Sequence, residues 1–158
     1  MLKLPGTIKW VITDFDGILT DNFVYIGDNM SMMRRINFMD IIGLHNLYKK
    51  GINVGIISGE TNPVMDMLAK KFELKEVHGK VHNKIEVLKS IIAKYNLSQD
   101  EYLYIGDDIN DIECLNYAKY KITVPHSVEA LKGLDGIQVT ERASGFGAFR
   151  EVADCLIN

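Results

Sequence analysis

The feature that most limits the fold is a short apolar run that ends in two closely spaced aspartates. Residues 10–12 are apolar, Asp14 and Asp16 follow them, and Gly17 allows a sharp turn. Such a run is typical of a buried parallel strand, whose carboxyl end is where open α/β sheets bind ligands. Because close carboxylates repel each other unless a cation or a shared proton compensates, the pair predicts a metal site. By itself the pair also fits a plain solvated strand end.

The composition is that of an ordinary soluble globular protein. The chain has 158 residues, 47% of them hydrophobic and 25% charged, and its net charge of −3 argues against nucleic acid as a partner. We expect residues 1–158 to form a single domain. The chain shows no apolar stretch of transmembrane length and no signal-peptide core, and its cysteines lack metal or redox spacing. These features predict a cytoplasmic protein without a membrane partner.

Strands and helices alternate along almost the whole chain. The patterns predict strands near residues 8–13, 53–57, 76–78, 102–105, 122–124 and 137–139, and helices over 40–50, 63–72, from 83, to about 117, from 127 and from 147. Within about residues 22–38, apolar alternation around a Gly-Asp-Asn turn predicts a β-hairpin inserted after the first strand. This order predicts a three-layer α/β sandwich with a mostly parallel sheet. The spacing leaves no room for a cap domain.

Polar residues follow three of the predicted strands and begin the helix after a fourth. They are Asp14 and Asp16, then Ser58, then Lys84, then Asp107, Asp108 and Asp111. In a doubly wound sheet these positions converge on one crevice. Carboxylates, a hydroxyl and an ammonium together suit phosphoryl chemistry, and Mg²⁺ would offset the repulsion between a phosphate and a carboxylate.

This ordered set resembles the motifs of the haloacid dehalogenase superfamily. The matching residues are Asp14-Phe15-Asp16-Gly17 with Thr20, Ser58, Lys84, and Gly106-Asp107-Asp108 with Asp111. The resemblance implies a Rossmannoid parallel sheet and a phosphatase in which Asp14 attacks phosphorus and Asp16 acts as general acid and base. It also implies that Mg²⁺ is bound by Asp14, Asp107 and the backbone carbonyl of Asp16, with Asp108 and Asp111 in support.

The short length and the hairpin resemble a narrower group that dephosphorylates 2-keto-3-deoxy sugar acids. Its members are 3-deoxy-D-manno-octulosonate 8-phosphate phosphatases, phosphatases of nine-carbon acids (KDN and sialic acid 9-phosphates), and modules that follow cytidylyltransferase domains. The resemblance implies a homotetramer that packs through the hairpins, where a neighbour's glycine-rich tail closes each active site. Here that tail spans about residues 142–158. Ser144 replaces the first glycine of its motif, and Arg150 is a candidate substrate contact.

The residues after Ser58 leave the substrate open between eight and nine carbons. Gly59 is expected to bind phosphoryl oxygens through its backbone N–H. Octulosonate phosphatases usually carry arginine at the next position, where this chain has Glu60, as in the nine-carbon branch. Lys71 also matches that branch, but Leu68 replaces its arginine. We take 3-deoxy-D-manno-octulosonate 8-phosphate as the expected substrate and a nine-carbon acid as the alternative.

Several alternative interpretations stay open at this level. A receiver domain also combines an acidic cluster with a hydroxyl and a lysine, but it has no late Gly-Asp-Asp-x-x-Asp segment. A catalytically silent assembly module is a second alternative, which Asp16 and Lys84 argue against. Asp108 and Asp111 also fit a capping role at the following helix, and Glu60 and Lys71 fit ordinary surface charges. The four histidines lack metal-ligand spacing.

Overall fold

The computed structural model describes residues 2–157. Its strands are β1 (Trp10–Thr13), β2 (Thr20–Ile26), β3 (Met32–Ile36), β4 (Asn53–Ile57), β5 (Glu76–His78), β6 (Tyr102–Ile105), β7 (Tyr120–Thr123) and β8 (Gln138–Val139). Its helices are α1 (Phe38–Lys50), α2 (Pro63–Phe72), α3 (Lys84–Lys94), α4 (Ile112–Tyr117), α5 (Glu129–Lys132) and α6 (Ala148–Ile157). A 3₁₀ turn over Ile109–Asp111 precedes α4. Over this range no helix has both the length and the apolar character needed to cross a membrane.

Strand β1 lies inside a six-stranded parallel sheet of order β5-β4-β1-β6-β7-β8. Thr13 at the end of β1 is paired with Ile56 of β4 on one side and with Ile105 of β6 on the other. The chain builds outward from β1 through β4 to β5, and then returns to the opposite side of β1 at β6. The carboxyl ends of β1 and β6 therefore flank the point where the strand order reverses, which is where open α/β sheets bind ligands.

Alternate side chains of β1 enter two different hydrophobic cores. Val11 packs in a core that includes residues of α1, α2 and α6. Trp10 and Ile12 pack in a second core with residues of α3, α4 and α5. Because every residue of β1 is buried, its continuous apolar run is explained by helices on both faces of the sheet. The predicted three-layer α/β sandwich is confirmed, and residues 2–157 contain no cap domain.

Strands β2 and β3 form a separate antiparallel hairpin after β1, as predicted. It begins at Thr20 rather than near residue 22, and it ends at Ile36 because Asn37 caps α1 with its side chain. Many of its large apolar side chains are exposed, namely those of Phe23, Val24, Tyr25, Ile26, Met30, Met32 and Met33. Ile36 at the end of β3 packs against the core that contains Val11, but these seven exposed side chains belong to neither core.

Several predicted boundaries are wrong by one to three residues. The first strand begins at Trp10 rather than Ile8, because the Ile8 N–H donates to Pro5 instead of joining the sheet. Strand β7 covers Tyr120–Thr123 rather than 122–124, since Tyr120 is paired with Leu103. Strand β8 starts at residue 138 rather than 137, α5 at 129 rather than 127, and α6 at 148 rather than 147. Backbone pairing and capping, rather than the apolar pattern, set these ends.

The C-terminal segment folds onto its own chain through Asp40 of α1. The buried carboxylate of Asp40 accepts the N–H groups of Gly147 at 3.1 Å and Arg150 at 2.9 Å, so it caps the start of α6. Burial raises the pKa of Asp40 in spite of these hydrogen bonds. Upstream of the helix, the N–H of Gly145 donates to Ile18, close to the carboxyl end of β1.

Candidate active site

Three buried carboxylates meet at the carboxyl ends of β1 and β6. Asp14 follows β1, whereas Asp107 and Asp111 follow β6, and one oxygen of each lies within 4.8 Å of the others. None of the three residues is more than 6% exposed. The strand ends that the sequence places together are thus brought together in space, and we call these three residues the acidic cluster.

Lys84, the first residue of α3, neutralises part of this charge. Its Nζ lies 2.7 Å from Oδ2 of Asp14 and 2.8 Å from Oδ1 of Asp111, and its side chain is 1% exposed. Burial disfavours the ammonium, but attraction by Asp111 and Asp14 outweighs burial and raises the pKa of Lys84. Lys84 therefore stays charged at neutral pH.

Both carboxylate oxygens of Asp111 are bonded to Lys84, to Tyr104 and to the backbone of the loop after β6. Its carboxylate accepts hydrogen bonds from Lys84, from the Tyr104 hydroxyl at 2.7 Å and from the N–H groups of Asp107 at 3.1 Å and Asp108 at 3.3 Å. With both oxygens engaged by these donors, Asp111 has the contacts expected of a supporting residue.

One ammonium does not compensate for three carboxylates. Burial and repulsion by Asp14, Asp111 and Asp108 raise the pKa of Asp107 to about 8. Burial and repulsion by Asp111 also raise the pKa of Asp14, against the opposing effect of Lys84. A further cation would relieve this repulsion, and carboxylate oxygens are the donors that Mg²⁺ prefers. The donor set therefore fits a hard divalent ion held by Asp14 and Asp107.

The side chain of Asp16 is not part of the acidic cluster. Its Oδ1 accepts the Thr20 hydroxyl at 3.1 Å, and its two oxygens lie 2.9 and 3.1 Å from Nε of Arg34. Among residues 2–157, no donor is bonded to the backbone carbonyl oxygen of Asp16. That oxygen is free for the metal contact that the resemblance implies.

Gly17 brings the β1 loop against Asp107. Its φ is +81°, and a Cβ at this position would lie 1.9 Å from Oδ2 of Asp107. Both the left-handed backbone and the close approach require glycine. The sharp turn that the sequence predicts at Gly17 is confirmed. It brings the backbone after Asp16 into contact with Asp107, which follows β6.

The second predicted motif lies at the end of β4, next to β1 in the sheet. Ser58 is buried, and its N–H donates to the His78 carbonyl at 2.8 Å. Its hydroxyl oxygen accepts the N–H of Glu60 at 3.2 Å, which forms a tight turn through Gly59. Gly59 is half-buried and Glu60 is exposed. This turn therefore lies at the same edge of the sheet as Asp14, since β4 and β1 are parallel neighbours.

Two predicted substrate contacts, Lys71 and Arg150, have no contact with the acidic cluster of their own chain. Ser58 precedes the first turn of α2, whereas Lys71 lies in the last turn of this helix. The Lys71 ammonium lies over the Phe72 ring. Nε of Arg150 lies 2.6 Å from Asp154 on the same helix. The role of Lys71 in substrate selection, and that of Arg150 in the active site of a neighbouring subunit, stay predictions.

Asp108, predicted to support the site, is exposed and caps the 3₁₀ turn. Its Oδ1 accepts the N–H of Ile109 at 2.7 Å, and the Asp111 side chain completes a capping box. These contacts agree with the capping alternative that the sequence left open.

Sequence reasoning missed three residues that touch the predicted ones. Arg34 pairs with Asp16, the Asn22 amide lies 3.3 Å from Oδ2 of Asp107, and Tyr104 donates to Asp111. The sequence signal for Asn22 was its residue type, because asparagine tolerates the left-handed backbone better than most residues. Asn22 does have this conformation, with φ of +67°. Arg34 offered none, because its partner is distant in sequence and on another element.

Comparisons with known proteins agree with this geometry. The sequence profile of the haloacid dehalogenase-like hydrolases matches residues 54–137. The 3-deoxy-D-manno-octulosonate 8-phosphate phosphatase of Escherichia coli K12 is 26% identical over 150 residues, covering 95% of this chain and 79% of its own length.

Solved structures of such phosphatases superpose closely. That of Moraxella catarrhalis, in complex with magnesium, phosphate and KDO, is 27% identical with a TM-score of 0.89, covering 96% of this chain and 87% of its own. The cobalt-bound enzyme of Haemophilus influenzae is 25% identical with a TM-score of 0.88, covering 96% and 88%. The family match and the shared fold lead to one conclusion: this chain belongs to the haloacid dehalogenase-like hydrolases.

Proposed function

We propose that this protein is a Mg²⁺-dependent phosphatase that hydrolyses 3-deoxy-D-manno-octulosonate 8-phosphate through an aspartyl-phosphate intermediate. The observation that carries the proposal is the acidic cluster at the carboxyl ends of β1 and β6, where the single ammonium of Lys84 does not balance the charge of Asp14, Asp107 and Asp111. The names of the relatives support the substrate class, because they act on this phosphorylated sugar acid.

In the proposed reaction Asp14 is the nucleophile. An oxygen of its carboxylate attacks phosphorus, and the bond from phosphorus to the sugar oxygen breaks. Oδ1 of Asp14 accepts the Phe15 N–H at 2.6 Å while Oδ2 faces Lys84, so the carboxylate is held in one orientation. A bound Mg²⁺ would supply positive charge that offsets the repulsion between the phosphate and the carboxylate. Lys84, Ser58 and the Gly59 N–H would hold the phosphoryl oxygens.

Asp16 is the proposed general acid and base. It would protonate the leaving sugar oxygen, and then take a proton from the water that hydrolyses the aspartyl-phosphate. Its side chain is 25% exposed, unlike that of Asp14, so it can reach both the leaving group and water. Asp14 and Asp16 thus take different roles in the proposal, because only Asp14 belongs to the buried acidic cluster.

We also propose that residues 1–158 form one catalytic domain that works as a homotetramer. The exposed apolar side chains of the hairpin support an interface there, since a surface of this kind is typical of protein contacts. In that assembly Arg150, in the C-terminal tail of a neighbour, would reach the substrate. The two free cysteines, Cys114 and Cys155, agree with a reducing, cytoplasmic compartment.

Glu60 supports a second candidate substrate, the 9-phosphate of a nine-carbon acid such as KDN or a sialic acid. The exposed carboxylate of Glu60 lies two residues after Ser58, in the turn that follows β4, where it can accept hydrogen bonds from sugar hydroxyls. An arginine there would instead favour the carboxylate of the substrate.

The test is phosphate release with Mg²⁺ from the eight-carbon 8-phosphate, the two nine-carbon 9-phosphates and simple sugar phosphates. We expect the highest kcat/KM with the eight-carbon acid, and no release after EDTA treatment. A preference for a nine-carbon acid would favour the second candidate. Absence of release from all of them by folded, Mg²⁺-loaded protein would overturn the proposal and favour a silent assembly module.

A further inference from the structure

The hairpin sends one buried arginine into the proposed active site. Arg34 lies on β3, and its side chain is 7% exposed. Nε of Arg34 lies 2.9 Å from Oδ1 and 3.1 Å from Oδ2 of Asp16, so it contacts both carboxylate oxygens. The Thr20 hydroxyl donates to Oδ1 from β2. Both strands of the hairpin thus hold the same carboxylate.

The neighbouring arginine on β3 serves as a natural contrast. Arg35 is 55% exposed, lies 2.6 Å from Asp21 and stacks over the Phe146 ring at 5.1 Å. Because adjacent strand residues point to opposite faces, β3 directs Arg34 toward Asp16 and Arg35 toward the C-terminal segment. Of two equal charges on one strand, only Arg34 touches a residue with a proposed role in the reaction.

We infer that Arg34 is a positioning residue that orients the carboxylate of Asp16 for proton transfer, which makes the hairpin part of the catalytic machinery. This inference rests on the proposed function. Proton transfer to a leaving oxygen requires the acid at hydrogen-bond distance and in a suitable direction. A carboxylate on a strand-to-turn junction rotates unless it is held, and Arg34 with Thr20 holds it at both oxygens.

The contact also leaves part of the Asp16 carboxylate unoccupied. A carboxylate has about four lone-pair sites, and the single Nε–H of Arg34, shared by both oxygens, and the Thr20 hydroxyl engage at most three of them. At least one site remains for a proton and for the leaving oxygen. Arg34 therefore acts through Asp16 and need not touch the phosphate.

The leaving group provides the readout, since a sugar alkoxide needs protonation whereas 4-nitrophenolate leaves without it. We would measure the first-turnover rate by rapid quench, and kcat and KM in the steady state, with 3-deoxy-D-manno-octulosonate 8-phosphate and with 4-nitrophenyl phosphate. The proteins are wild type, Arg34→Met, Arg34→Lys, Asp16→Asn and the matched control Arg35→Met. Thermal unfolding of each variant checks that the fold is retained.

We expect Arg34→Met to slow the sugar phosphate reaction by about 10- to 100-fold and the 4-nitrophenyl reaction by less than about threefold, with KM nearly unchanged. Asp16→Asn should show the same selectivity, and Arg34→Lys a partial loss, because the flexible lysine ammonium lacks the fixed N–H direction of the planar guanidinium. Arg35→Met should slow neither substrate by more than about threefold.

Other outcomes separate the alternatives. Equal loss with both substrates, or an increase in KM with kcat unchanged, would overturn the positioning role in favour of a structural contact or direct substrate binding. A slower sugar phosphate reaction in the Arg34→Met, Asp16→Asn double variant than in Asp16→Asn would also overturn the positioning role. A residue that acts through the Asp16 carboxylate has no effect on the rate once that carboxylate is removed. Lack of wild-type turnover with any sugar phosphate would overturn the proposed function itself, together with this role.

Discussion

Two buried carboxylate centres in the same sheet differ in how completely they are compensated. Glu76 on the edge strand β5 is 5% exposed, and its oxygens lie 2.6 Å from Lys94 Nζ, 2.9 Å from the Tyr95 hydroxyl and 2.7 Å from His78 Nε2. Burial disfavours the carboxylate, but the hydrogen bonds from Lys94, His78 and Tyr95 outweigh burial, and the pKa of Glu76 is lowered.

The acidic cluster on β1 and β6 has the opposite balance. Asp14 and Asp107 are about as buried as Glu76, yet burial and mutual repulsion raise the pKa of both, because Lys84 is shared between Asp14 and Asp111. Burial alone therefore does not identify a functional carboxylate. A deficit of positive charge around buried carboxylates does identify a functional site, since such a deficit is tolerated where a cation and a substrate are to bind.

Replacing a carboxylate by an amide in the cluster should have the largest effect. We expect Asp14→Asn to reduce phosphate release by at least about 10³-fold, because the amide cannot form the aspartyl-phosphate. Phosphate release and thermal unfolding would be measured together, to show that the loss is chemical. Release at near wild-type rate would contradict the assignment of Asp14 as nucleophile.

Replacing the carboxylate of Glu76 by an amide should lower stability and leave the rate of phosphate release almost unchanged. Glu76→Gln is expected to lower the free energy of unfolding by about 1–3 kcal/mol, because Lys94 and His78 lose a buried charged partner. Since the folded-state pKa of Glu76 is lowered, its contribution is present above its unfolded pKa and is lost as pH falls through the folded one.

Urea unfolding of wild type and Glu76→Gln at pH 7 and near pH 4 would measure this difference, which should shrink at the lower pH. Phosphate release at pH 7 should stay within about threefold of wild type. A large loss of activity in a stable Glu76→Gln protein would show that the contrast between the two centres is wrong.

The smallest predicted effect is a pH-dependent stabilisation by Mg²⁺. The pKa of Asp107 is raised to about 8, so its contribution to stability is present below its unfolded pKa near 4 and is lost as pH rises through 8. Metal-free protein should therefore lose stability between pH 6 and pH 9. Mg²⁺ should raise Tm more at pH 8.5 than at pH 6, by about 3 °C.

Thermal unfolding with and without Mg²⁺ at the two pH values checks this prediction, and Asp107→Asn serves as the control. In that variant the pH dependence of the Mg²⁺ effect should be largely absent. An equal shift at both pH values in wild type would mean that a cation does not relieve the repulsion at Asp107.

Much of the site was predictable because its residues follow apolar strand runs. Asp14 and Ser58 come directly after a buried strand and Asp107 comes two residues after the end of β6, and parallel strands place their carboxyl ends on one edge. Lys84 was predictable from its place at the start of α3. The ends of β7 and α5 were not, because they depend on the register with β6 and on a bond from Val128 to Asp107.

The contacts of Asp16 were beyond reach of the sequence for a different reason. Arg34 and Arg35 are adjacent and chemically identical, and only the direction of β3 decides which one reaches Asp16. The same holds for Glu76, whose partners come from β5 and from the end of α3. Spacing along the chain carries no information on which charges face each other across elements.

The sequence by itself determined the α/β architecture, the central strand and the set of residues at its edge, because apolar periodicity and strand ends are local properties. Only the tertiary structure decided how charge is balanced around each buried carboxylate. That balance depends on distances of 2.6–3.1 Å between side chains from different elements. Here it separates the undercompensated Asp14 and Asp107 from the fully paired Glu76, and it adds Arg34 to the site.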